Sequence, residues 1–304
     1  MIKKLQPHIE RIRRISRFIR PRIFGGASLY YVATFFWHGI MEGEIGSRAA
    51  SISFRILMAF IPTVIFILTI IPFLPIDNLE SIVLAYFDNV MPDMTYLLLE
   101  STIQDLITKK HTTLLSVGFI LGIYYAMNSF NAYILEFNSS PILLKKYGYF
   151  SGMLVSLILV LFFALFMFVA VFIILAGTKI LSTLFQGNLI SFDLKNLFGI
   201  LQYGVAYLLF TVSISVLYYA GDPIKGKFRV FTPGSLIASL LVIISSVIFA
   251  WFVNNFGDYN RLYGSLGAFF VALLWLYFNN IIILVGFELN ASIKRAHREH
   301  TQIE

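Results

Sequence analysis

A few polar residues sit inside or at the ends of apolar runs, where they limit what the chain can do. Arg55, Asn131, Glu136, Glu288 and Asn290 are placed this way, with Arg48 two helical turns before Arg55. An ionisable side chain exposed to lipid costs about 2.5–3.5 kcal/mol even on insertion scales, so such groups pair or face a cavity. The sequence predicts an ion pair of Arg55 with Glu288 or Glu136 inside the bundle. It also predicts a substrate pathway lined by Arg55, Asn131, Glu136, Glu288 and Asn290. The structural alternative is that end residues snorkel to the headgroups, which is easy for Arg48 and harder for Arg55 and the short acid Glu288. Asp258, Tyr259, Asn260 and Tyr263 fall in a glycine-rich turn. They are candidates for a polar mouth on the other rim, the alternative being a turn with an aromatic belt.

Catalytic chemistry finds little to work with. The chain has no cysteine, so disulfides and thiolate chemistry are excluded. His8, His38, His111, His297 and His300 fall in no metal-ligand spacing, and P-loop, GxSxG and HExxH runs are missing. No metal, no cofactor and no enzymatic activity are expected.

The elements that must position the polar residues are membrane spans. Of 304 residues, 58% are hydrophobic and 13% charged, against roughly 45–50% and 25% in a soluble domain. An uncharged run of about twenty residues covers the ~30 Å hydrocarbon core. The expected fold class is all-α, a polytopic helix bundle with six transmembrane helices and amphipathic interfacial helices. The spans are placed at about 49–72, 113–136, 150–177, 197–220, 233–254 and 266–288. Thr232 is the expected N-cap of the fifth, with Pro233 at its first position. Residues 27–41 are apolar but short, as in an interfacial or re-entrant helix.

Charge sets the orientation. With both termini and the even loops on one side, eighteen of the 23 lysines and arginines fall there. That bias predicts cytoplasmic termini. Residues 1–22 read as a basic amphipathic helix on an anionic membrane surface, nucleic-acid binding being the less favoured alternative. No cleavable signal peptide is expected. Residues 23–295 form one six-span domain, and 296–304 a cytoplasmic tail. Residues 76–110, on the outer side, have helically spaced apolar residues on both sides of Pro92. Two short amphipathic helices are expected there, either as a lid or as a docking surface for a periplasmic partner.

Packing residues are also visible. Pro62 breaks the hydrogen-bond ladder of the first span and is a candidate hinge. Gly118, Gly122 and Ala126 make a small-residue stripe on the second span, suited to close packing within the chain or across a homo-oligomer. Asn128 and Asn131 are expected to bond across helices.

Three regions resemble the YihY/BrkB family of bacterial inner-membrane proteins, formerly mislabelled ribonuclease BN. They are Arg48-Ala49-Ala50 through Phe54 to Pro62, the loop after Asn131 to Lys145 and Lys146, and a two-part C-terminal signature. The signature reads Tyr259-Asn260-x-x-Tyr263-Gly264-Ser265-Leu266-Gly267, then Gly286-x-Glu288-Leu289-Asn290-Ala291. Arg55 departs from the apolar residue of the family pattern. The resemblance implies a six-span protein of the bacterial inner membrane and a role in moving or handling lipid in the envelope. The function expected is therefore transporter-like, acting on lipid or another amphiphile; the alternative is an envelope scaffold docking a partner through 76–110. The expected partners are membrane lipids, with no nucleic acid.

Overall fold

The computed structural model describes residues 28–75, 78–90, 93–186, 192–255 and 265–301. The basic segment 1–22, Pro92 and the rim residues Asp258, Tyr259, Asn260 and Tyr263 lie outside the described residues. Every regular element described is helical: α1 (Leu29–Glu42), α2 (Ile45–Ile70) with a 3-10 turn Ile71–Phe73, α3 (Leu79–Val90), α4 (Asp93–Thr108), α5 (Thr112–Asn138), α6 (Tyr149–Gln186), α7 (Phe192–Gly221), α8 (Pro233–Asn255) and α9 (Ser265–Thr301). Six of them, α2 and α5 to α9, are long and apolar enough to cross a membrane. This is an integral membrane helix bundle.

Hydroxyls within the spans find partners on their own helix, since lipid offers none. Ser53, Thr63 and Thr69 of α2 donate their hydroxyls to the carbonyls four residues back, at 2.7–2.8 Å. Helix α2 continues unbroken through Pro62. Gly118 of α5 packs on it: a Cβ there would lie 3.3 Å from the backbone of Phe66. Gly122 has open space instead. The small-residue stripe thus serves contact within the chain at Gly118.

The six spans form a closed ring in chain order, α2 beside α5, then α6, α7, α8 and α9, with α9 returning to α2. The main core lies toward one end of this ring. It joins Ala49 and Ile52 of α2, Ile134 and Phe137 of α5, Leu159 of α6, Leu217 and Tyr218 of α7, Ala238 of α8, and Leu284 and Phe287 of α9. At that end lie the start of α2, the end of α5, the start of α6, the end of α7, the start of α8 and the later turns of α9. The connections 139–148 and 222–232 therefore share one face, the face to which the sequence assigns the surplus of positive charge. Phe137 and Phe287 stack at 3.9 Å between centroids, with Tyr218 edge-on to both.

Two satellite elements cap the ring. Helix α1, at ~21 Å, is too short to span. It packs Val32 and Phe35 against Leu289, Ile293 and Ala296 of α9. It stops at Gly43, and Glu44 turns the chain with a left-handed φ of 45° before α2 begins. At the other end, α3 and α4 pack Val83, Leu84, Phe87, Ile103, Leu106 and Ile107 on Leu68 and Ile71. This is the pair of amphipathic helices expected in 76–110, with one apolar face buried. Ile82 and Tyr86 remain 60% and 65% exposed.

Candidate functional site

The innermost polar cluster is built by α1, α2, α9 and the turn after α5. Arg48, one turn into α2, donates Nη1 to Glu288 Oε1 at 2.8 Å and to the carbonyl of Gly43 at 3.0 Å. Ser140 donates its hydroxyl to Glu288 Oε2 at 2.7 Å, and that same Ser140 oxygen accepts from the Ile142 amide at 3.2 Å. Arg48 is 4% exposed and Glu288 0%. Gly39 lets the carboxylate in, since a Cβ there would sit 2.9 Å from Glu288 Oε2. Arg48 Nε and Nη2 are buried with no partner among the described residues. The arrangement binds the short helix, the first span and the last span to one another.

This corrects the predicted pairing of Arg55 with Glu288 or Glu136. Arg55 lies seven residues beyond Arg48, about 10 Å further along the helix. There it donates to Asn128 Oδ1 of α5 at 2.9 Å, while Ser129 donates to the Arg55 carbonyl at 3.0 Å. The carboxylate thus meets the arginine at its own depth, Arg48. Glu136 is half-buried and forms no ion pair among the described residues. Asn131 is half-buried near Gly152 of α6, where a Cβ would lie 3.7 Å from its Oδ1. Of the two asparagines expected to bond across helices, Asn128 does so. Arg55 and Glu288 thus hold different partners.

A second polar ladder crosses the core at Asn280, about two helical turns before Glu288 in α9. Asn280 Oδ1 accepts from the Tyr133 hydroxyl, and its Nδ2 donates to Ser53 Oγ at 2.9 Å. Asn280 therefore joins α5, α9 and α2. Such hydrogen bonds hold spans together where lipid offers no hydrophobic drive. Asn280 carries no spacing signal in the sequence.

Asn290 has a different part. Its Oδ1 accepts from the Gly234 amide and its Nδ2 donates to Thr232 Oγ1, both at 2.9 Å. Thr232 Oγ1 also accepts from the Ser235 amide at 3.3 Å. Pro233 has no amide hydrogen, so the first amides of α8 are satisfied by Thr232 and Asn290 together. Two glycines allow the approach. A Cβ on Gly234 would lie 2.1 Å from the Gly286 carbonyl, and one on Gly286 only 2.3 Å from the Tyr218 hydroxyl. In the run Gly286-x-Glu288-Leu289-Asn290, the glycine makes a close crossing, the acid holds Arg48 and the amide caps the neighbouring span.

Next to Asn290, a pocket of about 510 Å³ opens between the end of α7, the loop 222–232, the start of α8 and α9. Phe231, Phe287, Tyr218 and Tyr219 give it aromatic walls; Lys227, Arg229, Lys294, Arg298 and one carboxylate, Asp222, give it charge. Asp222 is engaged by Lys294, which also donates to the Ile224 carbonyl. Just outside, Lys225 donates to the carbonyls of Tyr219 and Ala220 and lies over the rings of Tyr147 and Tyr219. Burial pushes the Lys225 ammonium down, with Asp222 opposing. Burial, helped by the Asp222 charge, pushes the Tyr147 hydroxyl up. Among the described residues, no three of His, Asp and Glu gather as metal ligands.

Residues 36–304 match the family described as Virulence factor BrkB. A Bacillus subtilis protein named as ribonuclease-like, YfkH, is 27% identical over 256 residues, which is 84% of this chain and 91% of that protein. A UPF0761 membrane protein of Alkalilimnicola ehrlichii is 32% identical over 33% of this chain and 22% of its own length. UPF0761 membrane protein MS0032 of Mannheimia succiniciproducens is 32% identical over 35% and 36%. No solved structure matches the chain.

Proposed function

This chain belongs to the Virulence factor BrkB family, and on that premise we propose that it handles an amphiphile at the cytoplasmic face of the bacterial inner membrane. The observation that carries this reading is the pocket between α7, α8 and α9. Its walls are aromatic, its rim is cationic, and it opens among three spans rather than in a separate soluble domain. A ligand with a polar head and apolar tails matches both surfaces, the tails remaining with the exposed apolar side chains of the spans. The surplus of positive charge on this face supports placing it in the cytoplasm. The Arg48–Glu288 pair closes the ring beside the pocket and keeps its walls in register; as a buried ion pair joining α2 to α9 it acts as a clamp rather than a station on a path. In this reading the protein transfers the amphiphile and catalyses no covalent step.

Purified protein in liposomes, with a fluorescent phospholipid and a one-sided quencher, tests the reading. Faster loss of inner-leaflet fluorescence than in protein-free liposomes is expected. A rate equal to that of protein-free liposomes would overturn translocation and favour the scaffold reading. The scaffold reading has its own support in the exposed Ile82 and Tyr86 of α3.

A further inference from the structure

We infer that the pocket between α7, α8 and α9 is a receptor for a phosphate group, carried by the polar end of its ligand. For the source of that ligand this rests on the amphiphile reading above; for its chemistry it rests on how the pocket's charges are partnered.

The four pocket cations face one carboxylate. That carboxylate is spent: Asp222 Oδ1 accepts from the Ile224 amide at 2.9 Å, and Oδ2 accepts from Lys294. Lys227, Arg229 and Arg298 are left with no hydrogen bond or ion pair among the described residues. The neighbouring Lys225 shows the contrast, because its ammonium donates to two carbonyls at the end of α7 and lies over the rings of Tyr147 and Tyr219. Lys227 and Arg229 are solvent-exposed and Arg298 is half-buried, so all three are open to an anion that enters the cavity they line. Two of them are guanidinium groups, whose planar fork matches the oxygens of a phosphate. The positive end of the α8 dipole points the same way. Its amides are already taken by Asn290 and Thr232, so it contributes field and not hydrogen bonds. A cavity of about 510 Å³ lies in the usual range for a small-molecule site, roughly 300–1,000 Å³. Phe231, 61% exposed at its edge, would flank the apolar part of the ligand.

The competing account is that these residues are ordinary positive charge on the cytoplasmic face. Calorimetric titration of the full-length protein in detergent separates the two. The probes are dihexanoyl phosphatidic acid, dihexanoylglycerol and inorganic phosphate. Dihexanoyl phosphatidic acid is expected to bind saturably and dihexanoylglycerol not to bind. Lys227→Gln/Arg229→Gln should weaken the phosphatidic acid by about tenfold or more, from the loss of charge-assisted hydrogen bonds. Lys145→Gln/Lys146→Gln, on the neighbouring loop of the same face, should change it less than about twofold by the same arithmetic. Arg298→Gln, in a different element, should repeat the first loss. Phosphatidic acid binding tighter than inorganic phosphate identifies a lipid headgroup as the source; equal binding identifies a soluble phosphate, and both support the site. Equal loss in the two double variants, or equal binding of dihexanoylglycerol, would overturn it. Pocket-dependent binding without translocation would leave this site standing and remove the transport reading. Translocation by a wild type that does not bind dihexanoyl phosphatidic acid would remove this site and leave the transport reading.

Discussion

Among the described residues Arg48 and Glu288 are each other's only opposite charge in a buried setting, and this fixes what their substitution does. Removing one member of a buried pair leaves a charge uncompensated and costs about 3–5 kcal/mol. Arg48→Ala and Glu288→Ala should each lower the thermal unfolding midpoint in detergent sharply. Arg48→Lys should keep a good part of the stability, because Nη1 alone makes both hydrogen bonds while Nε and Nη2 have no partner among the described residues. A lysine as damaging as alanine would mean that the guanidinium fork is needed. Arg48→Met/Glu288→Leu should be milder than the sum of the single losses, since the pair is removed together. The sequence marks Glu288 as a carboxylate needing a partner, but it does not rank Arg48 against Arg55. Both lie in one apolar helix, and only the axial offset between α2 and α9 decides which arginine stands level with the acid. Gly39 in α1 and Gly43 just past its end are the unused signal: the first leaves room for the carboxylate and the second offers Arg48 a carbonyl.

At the scale of elements, the crossing of α8 and α9 is set by glycine. Gly234→Ala places a methyl 2.1 Å from the Gly286 carbonyl, a backbone atom that cannot rotate away. Overpacking of this kind costs about 1–3 kcal/mol or more. It also pulls Asn290 off the first amide of α8. Gly122→Ala meets nothing within 4 Å and should leave the unfolding midpoint unchanged within about 0.5 kcal/mol. Unfolding midpoints of the two variants, compared side by side, check the crossing; equal midpoints would contradict it. The helices themselves were legible, because uncharged runs of span length have one physical solution in lipid. The cap at Thr232–Pro233 and the paired helices of 76–110 could also be read from local chemistry. Helix ends were less legible. The sequence ends the last span at Glu288, whereas α9 runs on to Thr301, its later turns packing Leu289, Ile293 and Ala296 against α1. Asn290, a pathway candidate from its position, lines the pocket; its further role as a cap on another helix depends on a contact 56 residues away in sequence.

At the scale of the molecule, the ring of six spans has two unlike ends. One carries α3 and α4 packed over Leu68 and Ile71. The other carries the main core, the Arg48–Glu288 pair and the cationic pocket. The ring order follows the chain, so each span packs beside its sequence neighbour and the last closes on the first. The pocket escaped sequence reading because its charges come from a loop, Lys227 and Arg229, and from a helix seventy residues later, Lys294 and Arg298. Each group by itself reads as positive-inside charge. Passage of the amphiphile through this pocket, as proposed above, predicts that an obstruction at the pocket edge stops translocation. The chain has no cysteine, so Phe231→Cys puts a single thiol at the pocket edge without removing a cation. Phospholipid translocation is followed in one liposome preparation before and after a bulky, membrane-permeant maleimide is added. Translocation should fall to the rate of protein-free liposomes once the thiol is blocked, while the wild type is unaffected by the reagent. An unchanged rate in the labelled variant would contradict passage through the pocket.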